Sequence, residues 1–237
     1  LKVGDELLEG GTITAFMEVC GEHIEMYNIS DIIVSGEHKI MYMGKTINVR
    51  EHPNAKKITK KCKKLYCVNN TDKYLNINNE ILLDYDELTM SEYNELKDQL
   101  EEDIKLDELH KYYDGGFEKD VKLVMEDGSE KEISKINVGE RLQYGIKVMS
   151  KVKMTGNIAN SIGHIKIGEN IVKCSSNILL REGVLNKKTH KVIENESIIL
   201  YGNKEEYLYH IVTEQGYFYL GDELVVDYNG MMDNYLK

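Results

Sequence analysis

The 237 residues carry 30 Lys and Arg against 41 Asp and Glu, a formal charge of -11 with a pI near 5.2. That balance argues against phosphate-backbone binding as the main task, because nucleic-acid binders gather a net basic surface. No stretch approaches the ~18 consecutive apolar residues of a membrane span, no signal peptide opens the chain, and the length suits two small domains.

From the N-terminus, residues 2–7 lead into a strand over 12–19, and further strands are read at 31–34 and 75–83. These are runs rich in Ile, Val, Tyr and Thr, punctuated by Gly or Asn-Asn turns, the pattern of a compact all-β domain. The Lys-rich run 56–64 reads as a solvated loop. Thr89-Met90-Ser91-Glu92 offers a capping box, after which Tyr93, Leu96, Leu100 and Ile104 share one helical face, so 89–113 reads as a helical linker docked on its own chain. Strands resume at 122–128, where Asp127-Gly128 signals a hairpin. The expected fold is mainly β: two all-β units, 1–88 and 114–237, joined by the helical linker 89–113.

The two units read as diverged copies of one another. Without a gap, residues 65–86 and 208–229 share Leu65/Leu208, Tyr66/Tyr209, Tyr74/Tyr217, Glu80/Glu223, Asp84/Asp227 and Tyr85/Tyr228. Both units open alike, residues 2–7 (KVGDEL) against 137–142 (NVGERL). The second is longer between these landmarks, which a loop insertion within 155–168 accommodates at little cost.

The four cysteines, Cys20, Cys62, Cys67 and Cys174, form no CxxC pair and have no histidine partners at zinc-ligand spacing. Neither a metal site nor a disulfide framework is indicated, and a reducing compartment is expected. One Pro, no Trp and abundant Ile, Lys, Asn and Tyr suit an AT-rich genome such as those of many large viruses or some protists. The chain opens on Leu1 rather than methionine, which fits an internal boundary or a processing product alike.

Three groups of residues carry a family resemblance. Ser35-x-x-His38 looks like the Thr-x-x-His motif of Hint (hedgehog/intein) domains with Ser for Thr, and Tyr66-Cys67-Val68 looks like their downstream strand, in which Cys or Asp assists acyl transfer. Gly116-Phe117 through Asp127-Gly128-Ser129, Ile133, Ile136 and Gly139-Glu140 follow the opening frame of a Hint domain, with Gly116 where the nucleophilic Cys belongs. His52-Pro53-Asn54-Ala55 and Asp84-Tyr85-Asp86-Glu87 resemble Hint-like domains of giant-virus and phage-associated proteins. The resemblance implies an autoprocessing module that cleaves itself by an N-to-S acyl shift, with Ser35 and His38 polarising the scissile amide and Cys67 assisting. It also implies damage. Glycine supplies no nucleophile, so the second unit should be inert, and the first lacks its opening hairpin, for which residues 116–135 are the obvious donor. The His-Asn pair that ends inteins is replaced by Asp84-Tyr85-Asp86 and Asp227-Tyr228-Asn229, which leaves cleavage or transfer in place of splicing.

The rival reading is a non-catalytic structural or interaction module of a virion or larger assembly. Partners would then be other protein subunits, where the processing reading makes the partner the chain's own polypeptide upstream of Leu1; the location expected is the cytoplasm of the producing cell or the virion. Cys174 and His210 are a conceivable new nucleophile and base. His23, His52, His110, His164 and His190 have no convergent partners, and Cys20 and Cys62 read as structural. No glycine-rich phosphate loop, metal motif or nucleophile elbow points to a small-molecule enzyme or a cofactor.

Overall fold

The structure, a computed structural model, describes residues 1–8, 11–99, 115–156, 162–175, 177–182, 189–192, 199–200 and 207–233. It is mainly β. In chain order the first strands are β1 (Ile13–Cys20), β2 (Met26–Ile29), β3 (Ile32–Ser35), β4 (Lys39–Tyr42), β5 (Lys45–Asn48), β6 (Lys56–Ile58), β7 (Lys64–Asn70), β8 (Tyr74–Ile77) and β9 (Glu80–Leu83). Helix α1 (Met90–Gln99) follows, then the hairpin of β10 (Lys122–Val124) and β11 (Glu130–Glu132). The remaining elements are β12 (Val148–Thr155), β13 (Ile162–Ile167), β14 (Asn170–Ser175), β15 (Leu179–Glu182), β16 (Thr189–Val192), β17 (Ile199–Leu200), β18 (Tyr207–Thr213), β19 (Tyr217–Leu220), β20 (Glu223–Val226) and the short α2 (Tyr228–Asp233).

The pairing of the first nine strands recurs in β12 to β20. Sheets ordered β3-β2-β6 and β5-β4-β9-β8 have counterparts ordered β14-β13-β17 and β16-β15-β20-β19. The two sets meet in one four-stranded sheet, β18-β12-β1-β7, where Met17 of β1 faces Val152 of β12. Both strands alternate inward and outward residues: Ile13, Ala15, Met17, Val148, Val152 and Met154 are fully buried. Burying each large apolar side chain contributes about 1.5–3 kcal/mol, which fixes this register, since a one-residue slip would turn the row outward.

Backbone bonds leading into β1 and β12 match residue for residue, 135 positions apart. Gly4 N–H donates to Ile13 O (2.8 Å) and Gly139 N–H to Val148 O (2.9 Å); Ile13 N–H donates to Asp5 O and Val148 N–H to Glu140 O (both 2.9 Å). Gly4 and Gly139 both sit at left-handed φ, +92° and +90°, where a side chain would strain the turn. A register shift follows at the same place in each strand, between Ile13 and Ala15 and between Val148 and Ser150.

Local expectations meet the structure unevenly. Thr89 and Glu92 form the capping box, with Thr89 N–H and Oγ1 donating to Glu92 Oε2 at 2.8 and 2.7 Å, and Leu96 is fully buried, so the helix docks on its own chain. The rest of the expected linker, with Leu100, Ile104 and His110, lies outside the described residues. The strand read at 75–83 is a hairpin: Asn78 and Asn79 take φ of 52° and 65° and reverse the chain between β8 and β9. The loop insertion read within 155–168 is in part strand. Buried Ile162, Ile165 and Ile167 place β13 against β14 and β17. The lysine run read as loop contributes β6, paired to β2.

Candidate functional site

Ser35, His38 and Cys67 come together around one open cavity of about 770 Å³, whose walls include β3 and the first half of β7. A tight turn links the first two, with His38 N–H donating to Ser35 O (3.3 Å). The His38 ring is clamped: Nε2 lies 3.0 Å from Leu83 O and Nδ1 3.1 Å from Glu87 Oε1. Glu87 is held in turn by the Lys39 N–H (2.9 Å). Both ring nitrogens therefore face acceptors, and neither points a lone pair at a substrate.

Cys67 lies opposite Met17, its sulfur 3.9 Å from Val68 O. Burial pushes its thiol up to about 12, and the negative charges of Asp84, Glu87 and Asp86 act in the same direction. It stays a thiol at neutral pH, and a thiol is neither a good nucleophile nor a base.

In the second strand set the place of this cavity is filled by the chain itself. Phe117 and Tyr209 exchange both backbone hydrogen bonds at 2.8 Å. Gly116 N–H donates to Ser175 Oγ (2.8 Å), Ser175 N–H to Gly116 O (2.9 Å) and Glu118 N–H to Lys173 O (2.9 Å). Residues 116–118 thus form a rung between β14 and β18, and Phe117 is completely buried in the core. A Cβ added at Gly116 would stand 2.9 Å from Leu208 Cβ and 3.1 Å from Tyr209 O, so position 116, where the resemblance expects a nucleophile, has no room for a side chain.

Cys174 and His210 do not form a nucleophile and base. Burial pushes the Cys174 thiol far up and pulls His210 down to about 4, against a small opposing effect of the Ile211 backbone. His210 packs among the rings of Phe117, Phe218 and Tyr228, at 5.5, 5.7 and 6.0 Å. Its Nδ1 meets the Ile211 backbone, and Nε2 has no partner among the described residues.

Asp84 and Asp227 act as clasps. Asp84 accepts the Asn70 and Asp86 N–H groups (both 3.2 Å), and Asp227 those of Thr213 (2.8 Å) and Gly230 (2.9 Å). His52 is buried, accepts the Asn54 N–H at Nδ1 (3.2 Å) and stacks edge-on with Tyr42. Sequence reasoning did not single out Glu87, which fixes His38, or Ser175, although Ser175 closes β14 as Ser35 closes β3. Among the described residues no group of three His, Cys, Asp or Glu is placed to hold a metal, and no helix is long and apolar enough to cross a membrane. No protein-family model matches the chain, and no curated protein is significantly similar to it.

Proposed function

We propose that this chain is a tandem of two diverged Hint-like units, 1–88 and 114–237, joined through the helical linker. Its autoprocessing chemistry is lost, and it serves as a non-catalytic structural or interaction module of a virion or larger assembly. The single observation that carries this reading is the state of Gly116, which has no nucleophile and no space for one. The clamped ring of His38 and the neutral thiol of Cys67 support it from the other unit. The matched strand pairings and turn bonds support the duplication. The test is the intact mass of the purified 27.3 kDa chain after incubation with dithiothreitol, which cleaves thioesters. One unchanged mass is expected; two fragments that together account for the chain would contradict the reading.

The gathering of Ser35, His38 and Cys67 around one cavity favours a second reading. In it the first unit cleaves by an N-to-S acyl shift when a nucleophile-bearing segment of its own polypeptide, upstream of Leu1, occupies that cavity. A precursor with such a segment would then shorten, and its His38→Ala variant would not. An intact precursor in both cases removes this reading.

A further inference from the structure

We propose that the cavity between β3 and β7 is a receptor for an extended peptide, which enters as an added strand and seats a small residue followed by an aromatic one. This rests on the interaction reading above and names the partner. The template is within the molecule. β3 and β7 hold the places in their sheets that β14 and β18 hold in the second set, where residues 116–118 lie between the two strands as a rung. Tyr66 corresponds to Tyr209, and Ser35 corresponds to Ser175.

The pleat shows which backbone groups of β7 and β3 are available. Gly21 N–H donates to Lys63 O (3.0 Å), which sets the alternation along the β1–β7 ladder: Met17/Cys67 and Val19/Leu65 are hydrogen-bonded pairs, and Glu18/Tyr66 is not. The Tyr66 N–H and C=O therefore point away from β1, into the cavity. On β3, Gly36 N–H donates to Glu25 O (2.9 Å), so by the same alternation Ser35 N–H and Ile33 C=O point away from β2, also towards the cavity. These are the counterparts of the groups on Tyr209, Ser175 and Lys173 that bind residues 116–118. Two strand edges with aligned donors and acceptors, facing one cavity, are the geometry of strand addition, in which main-chain bonds give affinity and a side-chain pocket gives specificity.

In the template Phe117 meets His210 and Phe218, whose counterparts Cys67 and Leu75 both line the cavity, with apolar Val34, Met26 and Leu82 elsewhere in its wall. Orientation follows from the antiparallel bridge of Phe117 to Tyr209. A segment entering the same way runs from Ser35 and Cys67 towards Leu65 and Lys64, and meets Lys60 and Lys64 on its C-terminal side. Lys64 is paired there with Glu18 (2.6 Å). The occupant is therefore a small residue and then an aromatic one, the order found in Gly116-Phe117.

The experiment titrates the whole chain into a fluorescein-labelled peptide of residues 115–121 and follows anisotropy. Saturable binding is expected, weakened at least about tenfold when the Phe nitrogen of the peptide is methylated, since that removes the donor to Tyr66 O without altering the protein. Amide exchange at Tyr66 is expected to slow at least about tenfold with bound peptide, with Tyr209 unchanged. Equal affinity of the methylated peptide, protection elsewhere than at Tyr66, or no binding with the chain at roughly millimolar concentration overturns the inference. None of those outcomes touches the loss of chemistry, which fails instead if the chain fragments in the mass assay.

Discussion

Cys67 and His210 are the two ends of one row of paired residues, Cys67–Met17–Val152–His210, that crosses the central four-stranded sheet. In the proposed Hint-like reading each is the assisting position of its unit, and burial keeps each uncharged at neutral pH. Their chemistry is set by this position rather than by residue type, and it can be measured at both ends.

For Cys67, a thiol raised from 9.0 to about 12 by burial has roughly 1000-fold less thiolate than an exposed cysteine, partly offset by the greater nucleophilicity of a more basic sulfur. Alkylation with iodoacetamide, followed by peptide mass spectrometry, should be about 10- to 100-fold slower at Cys67 in the folded chain than in urea. Equal rates would show that the sulfur is accessible and ionisable after all.

His210 makes the fold acid-sensitive. Its folded value of about 4 lies below the ordinary 6.5, so between these values the unfolded chain binds the extra proton. This contribution is complete above the unfolded value, declines as the pH falls below 6.5 and reaches a loss of about 3 kcal/mol near pH 4. Urea unfolding of the wild type and of His210→Phe at about pH 7 and pH 4 should show the difference between them shifting by that amount. A difference that does not change with pH refutes the assignment.

Gly116→Ala should destabilise the chain by about 1–3 kcal/mol, because its Cβ meets Leu208 and the Tyr209 carbonyl at distances that side chains do not tolerate. Gly116→Cys, which restores the nucleophile of the resemblance, should carry the same penalty in thermal unfolding. A stable Gly116→Cys chain would mean that the position can accept a nucleophile.

Lys73 is 5% exposed, with its Nζ 2.7 Å from Asp86 and 3.6 Å from Asp84, both of them buried as deeply. Lys73→Met removes the cation that two buried carboxylates share and should cost about 3–5 kcal/mol in denaturant unfolding. A loss below about 1 kcal/mol would place the cluster among weak surface pairs.

The mainly β class was legible in the sequence because alternation and turn residues act locally: Asp127-Gly128 and the Thr89/Glu92 cap each form where residue type requires, whereas the Asn78-Asn79 turn was read through as part of a strand over 75–83. The gathering of Ser35, His38 and Cys67 was legible only through the family resemblance. Clamping of His38 by Leu83 O and Glu87 was not, because a carbonyl 45 residues away leaves no mark in the sequence. Nor was the partial strand in 155–168, where Ile162, Ile165 and Ile167 lack strict alternation and are buried by tertiary packing. The six identities between 65–86 and 208–229 gain physical reasons at particular positions: Asp84 and Asp227 clasp the hairpins that follow β7 and β18, and Tyr85 and Tyr228 approach each other at 6.4 Å between ring centroids.

Of two matching strand slots, one is filled by residues 116–118 and the other is open among the described residues. Site-resolved hydrogen exchange on the free chain reads both at once. The Tyr209 amide, bonded to Phe117 O at 2.8 Å, should exchange at least about 100-fold more slowly than the Tyr66 amide, which faces the cavity from a residue 62% exposed. Equal protection at the two tyrosines would contradict it.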